Sequence, residues 1–169
     1  MKPQIFVLSL CCALLPVSAL RAQDASERHC KDVSGSILTN FLDATDTLGT
    51  ATGDFKGGLG VHVNSVTQGP NGTTILHNHH HWVTEAGDTI LFDDADATLF
   101  PTPVPGLYAG SYVNGIKIIG GTGRFENATG NLTSTYGAAD LTKGQVILRY
   151  QGHVCLAPST AQRFESLSQ

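Results

Sequence analysis

Hydrophobic and polar residues alternate along most of this chain in short runs, and turn residues interrupt the runs at regular intervals. In residues 57–66, Leu59, Val61 and Val63 alternate with smaller or polar residues. Alternation with a period of two is typical of a half-buried β-strand. The same reasoning assigns strands to seven segments: 36–42, 57–66, 73–84, 89–98, 107–119, 131–140 and 145–155.

The spacing of these segments predicts an all-β fold. Residues 100–106 contain three of the seven prolines and cannot form a central strand, so they are expected at a sheet edge or in a surface loop. No stretch longer than a turn has helical periodicity. Seven or eight strands in a meander are enough to close a small antiparallel barrel whose interior holds one small ligand.

The N-terminus has the pattern of a secretory signal peptide over residues 1–22. Lys2 precedes an apolar run over residues 5–19, and Ala19 and Ala22 offer small residues for cleavage. That run is too short to span a bilayer. We therefore expect a secreted or periplasmic protein with a flexible arm over residues 23–33, a barrel over 34–156 and a tail over 157–169.

Charge excludes two classes of partner. The signal segment contains Lys2 and Arg21, so 8 of the 10 basic residues remain in the mature chain against 14 acidic ones, a formal charge of −6. Such a surface offers no basic footprint for nucleic acid and no polybasic patch for anionic lipid. We expect neither nucleic acid nor a membrane as a partner of the mature form.

Two cysteines, Cys30 and Cys155, lie outside the signal segment. In an exported protein an even pair is most simply a disulfide, which would tie the N-terminal segment to the last strand. Two buried thiols and an intermolecular bridge are the alternatives.

A glycine-rich corner joins two of the expected strands at residues 120–130. It reads Gly-Gly-Thr-Gly-Arg-Phe at residues 120–125, and Gly130 follows a short turn. Glycine at several positions suits a turn that needs positive φ or a close approach of two backbones. We expect Arg124 to pack its stem over the corner and to bond carbonyls or a carboxylate.

The corner carries a family resemblance. Residues 117–130, with Ile-Ile-Gly-Gly-Thr-Gly-Arg-Phe at 118–125, resemble the allene oxide cyclase and dirigent proteins, and residues 141–154 resemble the closing strand of their barrel. The resemblance implies a calycin-type closed barrel of about eight strands that binds a hydrophobic or phenolic small molecule and steers its cyclisation or coupling. It further implies no cofactor and a homo-oligomer, either dimer or trimer. It carries no catalytic residue across, because the functional residues of these families lie in the lumen and outside the corner.

A histidine-rich strand, residues 77–85, offers the most concentrated polar chemistry. Alternation groups His77, His79, His81 and Glu85 on one face and Asn78, His80 and Trp82 on the other. If the first group faces the lumen, His79, His81 and Glu85 are candidate substrate-binding residues, together with the aromatic residues Tyr136 and Tyr150.

Two other uses of this strand stay open. The spacing of His79, His81 and Glu85 is similar to the first metal motif of cupins, in which His77, His79, His81 and Glu85 would hold a divalent transition metal. The second cupin motif has no counterpart after Pro105. A barrel filled with side chains would instead indicate a structural or interaction protein. The sequence leaves open whether this is an enzyme, an isomerase of the cyclase type, or a binding protein.

Overall fold

The computed structural model describes residues 29–158 as an all-β domain with three single-turn 3-10 segments. The expected signal peptide, residues 23–28 of the expected arm and residues 159–169 of the expected tail lie outside the described residues. Ten strands follow in chain order: β1 His29–Phe41, β2 Asp46–Ala51, β3 Gly57–Gln68, β4 Thr74–Thr84, β5 Thr89–Phe92, β6 Ala95–Pro101, β7 Leu107–Ser111, β8 Ile116–Gly121, β9 Thr129–Asp140 and β10 Gln145–Leu156.

These ten strands close an antiparallel barrel with eight positions, as the sequence predicts. Two positions are each shared by a pair of short strands: β5 and β6 pair with opposite ends of β4, while β7 and β8 pair with opposite ends of β9. The barrel closes where β10 pairs with both β9 and β1. Closure leaves every strand with two neighbours, which removes the exposed edges of an open sheet.

The strand assignment needs three corrections. The expected strand 89–98 is split into β5 and β6 at Asp93 and Asp94, and the expected strand 107–119 is split into β7 and β8 at a turn around Tyr112. β2, which contains a single large apolar residue, Leu48, was not expected. Two short strands share one barrel position because of how the sheet closes. The alternation of residues along the chain therefore gives no sign of it.

The seam of the barrel joins the two ends of the described chain. Cys30 and Cys155 are direct partners in the register of β1 and β10, and they form the expected disulfide. His29 to Val33, expected in the flexible arm, are instead the first residues of β1. Pairing with β10 satisfies those backbone groups of this segment that face β10.

Aromatic side chains fill the end of the barrel nearer the disulfide. We call Phe55, Trp82, Phe92, Phe125 and Tyr150 the aromatic plug; each is at most 4% exposed. Phe55 lies at its centre, with ring centroids 5.8 Å from Trp82, 5.7 Å from Phe125 and 5.8 Å from Tyr150. Large aromatic groups at these separations bury much apolar area and pack as in protein cores.

Two 3-10 turns of similar sequence place Phe55 and Phe125 in the aromatic plug. Thr52-Gly53-Asp54-Phe55 and Thr122-Gly123-Arg124-Phe125 each place an extended Thr before a Gly with positive φ, then bury the Phe. Arg124 lies over the Phe125 ring at 4.9 Å, and its Nε is 3.5 Å from Asp88 Oδ2, which confirms the expected contact with a carboxylate. Each turn therefore inserts one ring into the barrel.

None of the helical segments in residues 29–158 is long and apolar enough to cross a bilayer.

Candidate functional site

The other end of the barrel contains a cavity of about 220 Å³. Its floor is Trp82 of the aromatic plug, and its mouth is formed by Phe41, Ala44, Val66 and Leu141, of which the last three are exposed. Most of the wall is apolar and includes Leu59, Val61, Val63, Leu76, Ile116 and Leu148. The barrel is thus half filled by side chains and half hollow, with an opening at the hollow end.

Six buried polar side chains interrupt this apolar wall, two of which are Thr39 and Thr47. We call Asn78, His80, Tyr112 and Thr135 the polar cluster; each lines the cavity and is at most 5% exposed. Asn78 and His80 are adjacent inward positions of β4, and the Tyr112 backbone N–H donates to the Thr135 carbonyl at 2.9 Å. Three different parts of the barrel therefore place polar atoms against one cavity.

The Tyr112 hydroxyl connects the cluster. It accepts a hydrogen bond from Asn78 Nδ2 at 2.9 Å and lies 2.9 Å from His80 Nε2. We assign the hydroxyl proton to His80 Nε2, which leaves the proton of the neutral imidazole on Nδ1. The phenol acts as a bridge between an amide and an imidazole.

Three atoms of the polar cluster have no hydrogen-bond partner among residues 29–158: Asn78 Oδ1, His80 Nδ1 and Thr135 Oγ1. With the assignment above, Asn78 Oδ1 is a free acceptor and His80 Nδ1–H is a free donor. Buried polar atoms in native proteins are nearly always paired with protein, water or ligand atoms, so these three atoms are available to a polar group in the cavity. A hydroxyl, which donates once and accepts twice, complements this pair.

Burial keeps both ionisable members of the cluster uncharged. It lowers the pKa of His80 to about 4, and the neighbouring His79 adds to this effect. Burial also raises the pKa of Tyr112 to about 12, against a smaller opposing effect of the hydrogen bond from Asn78. At neutral pH the cluster is therefore a set of neutral donors and acceptors.

The face of the histidine-rich strand that lines the lumen is opposite to the face that contains the expected substrate-binding residues. Asn78, His80, Trp82 and Thr84 are buried, whereas His79, His81 and Glu85 point to the outside of the barrel. His79 Nδ1 is 2.6 Å from Asp94, and Glu85 is 2.8 Å from Lys56 Nζ. These three side chains cannot contact a molecule held inside the barrel.

The two tyrosines have different positions. Tyr136 is 50% exposed on the outer surface. Tyr150 is inside the barrel but belongs to the aromatic plug, where its hydroxyl donates to the Thr52 carbonyl at 2.8 Å and accepts from the Phe55 N–H at 3.0 Å. Neither lines the cavity.

Metal binding by the outer histidines finds no support in the geometry. In residues 29–158, no group of three or more His, Cys, Asp and Glu side chains is arranged to hold a metal ion. His77 and His79 each contact a separate carboxylate, Asp96 and Asp94. These two histidines therefore contact different carboxylates on the outer surface.

Sequence reasoning missed His80, Asn78, Tyr112 and Thr135. One signal in the sequence pointed to the correct face: His80 shares it with Trp82, the largest apolar residue of the strand, and apolar bulk faces the core. Tyr112 had no such signal, because its inward position depends on the turn between β7 and β8.

Comparison with known proteins adds little to this description. No protein-family model and no curated protein matches the chain. Among solved structures, the chain is similar to the pterocarpan synthase dirigent protein GePTS1, with a TM-score of 0.32 and 16% sequence identity over 79% of this chain and 93% of that chain. A likeness this low carries no conclusion about the site, which is interpreted from its own residues.

Proposed function

We propose that this protein binds one compact hydrophobic molecule, of the phenolic class, inside its barrel and fixes its orientation. The observation that supports this most directly is the juxtaposition of an apolar cavity with three unpaired polar atoms of the polar cluster. An apolar wall favours the ring, and the cluster binds the hydroxyl.

The cavity volume limits the ligand to about one ring. An apolar cavity of about 150 Å³ in another protein holds benzene. At about 220 Å³, this cavity has space for an aromatic ring with a short substituent. The volume is below the roughly 300 Å³ at which drug-sized pockets begin, so the proposed ligand is small.

A fixed orientation is the property that a coupling-directing or cyclising barrel needs. Holding a reactive ring in one pose excludes alternative geometries of ring closure or coupling, and this requires no cofactor. We propose ligand binding as the primary function and catalysis as a secondary one, because the neutral polar cluster can orient a hydroxyl or polarise a carbonyl without itself changing charge.

Export belongs to the same proposal. A disulfide persists in oxidising compartments, which agrees with the secretory pattern of residues 1–22. N-terminal sequencing of the natural protein should find a chain that begins after Ala19 or Ala22; an intact Met1 on the native protein would contradict export by this route.

The binding test compares 4-ethylphenol with ethylbenzene, using oxidised protein and isothermal titration calorimetry. We expect 4-ethylphenol to bind with one molecule per chain and ethylbenzene to bind about fivefold more weakly, since one hydrogen bond is worth roughly 1 kcal/mol. Tyr112→Phe should remove most of this difference, because it removes the bridging hydroxyl.

Matched variants locate the site. His80→Phe should abolish the preference for the phenol, whereas His79→Phe, the neighbouring residue on the outer face, should leave it unchanged. Ala97→Leu, which adds bulk to the cavity wall, should abolish binding of both ligands. Near-UV circular dichroism should show that each variant is folded. Absence of 4-ethylphenol binding to the folded wild type would contradict the proposal and favour a structural or interaction role.

A further inference from the structure

The wall of the cavity carries no charged side chain. Among its lining residues there is no Lys, Arg, Asp or Glu, and its titratable members are His80 and Tyr112. Both are neutral at ordinary pH, because burial opposes the charged form of each. The cavity therefore has dipoles with which to stabilise a ligand but no counter-ion.

The mouth of the cavity adds negative charge. Asp43 and Asp140 are each one residue from a mouth residue, Ala44 and Leu141. The pKa of Asp43 is lowered, mainly by the donated backbone N–H of Thr45, and that of Asp140 is lowered to about 2, mainly by the Thr142 hydroxyl. Lys143 Nζ lies 3.0 Å from Asp140 and offsets its charge, so the net negative charge beside these two mouth residues comes from Asp43.

We propose that the barrel selects its ligand by charge: it admits neutral aromatic molecules with one hydroxyl or carbonyl group and rejects carboxylates and phenolates. This selection rests on the proposed binding function and narrows it. An anion entering the cavity would lose its hydration, pass the ionised Asp43 and find neutral donors, His80 Nδ1–H and the Thr135 hydroxyl, in place of a cation.

The groups that surround the bound hydroxyl come from every element that packs there. β4 contributes Asn78 and His80, the turn after β7 contributes Tyr112, and β9 contributes Thr135. The remaining titratable neighbours, His79, His81 and Asp94, act on His80 from the outer side of the barrel wall. None of these residues places a cation inside.

The test uses 4-nitrophenol, whose phenolate absorbs at longer wavelength than the neutral phenol. The bound ligand is titrated with pH in excess protein and compared with free 4-nitrophenol. We expect binding to raise the pKa of the ligand by at least one unit, which corresponds to at least tenfold tighter binding of the neutral form. A bound pKa that is unchanged or lowered would overturn charge selection.

A second pair compares a neutral with a charged ligand. At neutral pH, 4-ethylphenol should bind at least tenfold more tightly than 4-ethylbenzoate, in which a carboxylate replaces the hydroxyl on the same ethyl-substituted ring. Equal or tighter binding of the benzoate would overturn the proposal. His81→Gln, on the outer face of the same strand, should leave the pKa shift of 4-nitrophenol unchanged; a reversed shift would show that the outer histidines determine the selection and would overturn its assignment to the cavity wall.

These outcomes can be told apart from failure of the binding function. If 4-nitrophenol does not bind at acidic pH, where it is neutral, the proposed function fails together with the selection. If it binds at acidic pH and equally well as the phenolate at alkaline pH, the function stands and charge selection fails.

Discussion

His80 and His79 are neighbours on β4 with opposite surroundings. His79 is on the outer face beside Asp94, while His80 is 5% exposed and has Tyr112 as its hydrogen-bond partner. The same type of residue is therefore partly exposed to solvent on one face and buried beside the cavity on the other. Burial is the main cause that lowers the pKa of His80 from 6.5 to about 4, against a smaller raising effect of Asp94.

This depressed pKa predicts that stability depends on pH. Between pH 6.5 and about 4 the unfolded chain takes up a proton at His80 that the folded protein does not, so the contribution is full above pH 6.5 and is lost as the pH falls toward 4. The loss amounts to roughly 3 kcal/mol at most. We expect His80→Gln to lack this part of the decline, measured by urea unfolding at several pH values.

His79→Gln is the control for this measurement. It removes a histidine from the same strand on the outer face, so it should retain the decline of the wild type. Identical pH profiles for wild type and His80→Gln would show that burial of His80 is not coupled to folding as described.

The polar cluster also shows what the sequence could reveal about the site. Alternation divided the histidine-rich strand correctly into two faces, because strand geometry fixes that division. It could not choose the inner face, since histidine suits either environment. Thr135 reads like any strand residue in sequence, and only closure of the barrel places it beside Tyr112.

At the scale of elements, the two Thr-Gly-x-Phe turns differ in what surrounds their glycines. Gly53 has φ +82°, and a Cβ there would lie 2.1 Å from the Ser34 carbonyl oxygen and 2.7 Å from Gly35 Cα. Gly123 has φ +54°, and a Cβ there would meet the carboxylate of Asp88 at 1.9 Å. The obstacle is backbone in one turn and a movable side chain in the other.

This difference predicts unequal costs for the same substitution. Gly123→Ala should cost about 1 to 2 kcal/mol, mainly for left-handed φ, because Asp88 can move away. Gly53→Ala should cost more, about 3 kcal/mol or above, because β1 must shift as well. Guanidinium unfolding measures both. Gly87→Ala, with φ +86° and open space, gives the cost of φ alone.

The opposite order, with Gly123→Ala more destabilising than Gly53→Ala, would contradict this account of the turns. A cost for Gly53→Ala equal to that of Gly87→Ala would show that β1 adjusts freely.

The strands and turns that were predicted from the sequence differ physically from those that were missed. The long strands β3, β4 and β10 were predicted nearly to their ends, because a half-buried strand imposes alternation on its own residues. The corner at residues 120–130 was recognised from its glycines, whereas its counterpart at Thr52 was missed. β2 has too little apolar contrast, with Gly49 between Leu48 and Thr50, for any pattern to emerge.

At the scale of the whole molecule, the disulfide acts on the unfolded chain. Cys30 and Cys155 are 125 residues apart, so the bond closes a very long loop. In the chain-entropy description a loop of this length contributes about 4 to 5 kcal/mol. We expect β1 to remain paired with β10 when the disulfide is removed.

We therefore expect the double variant Cys30→Ala/Cys155→Ala to be less stable by about 4 kcal/mol and still able to bind 4-ethylphenol. Denaturant unfolding of the variant and of oxidised wild type gives the difference. Loss of ligand binding in a folded variant would show that the bond shapes the cavity, although the two lie at opposite ends of the barrel. An unchanged stability would contradict the entropic role.

In the described part of the barrel, the exposed lining residues of the cavity lie at its mouth, and the aromatic plug fills the far end. A ligand that enters past Ala44 and Leu141 therefore leaves by the same mouth. One occupant leaves no room for another, and a reaction that joins two rings has to bring the second to the outside of the mouth, in contact with water. If the protein turns over its ligand, product and substrate compete for a single passage, and accumulated product inhibits the protein competitively.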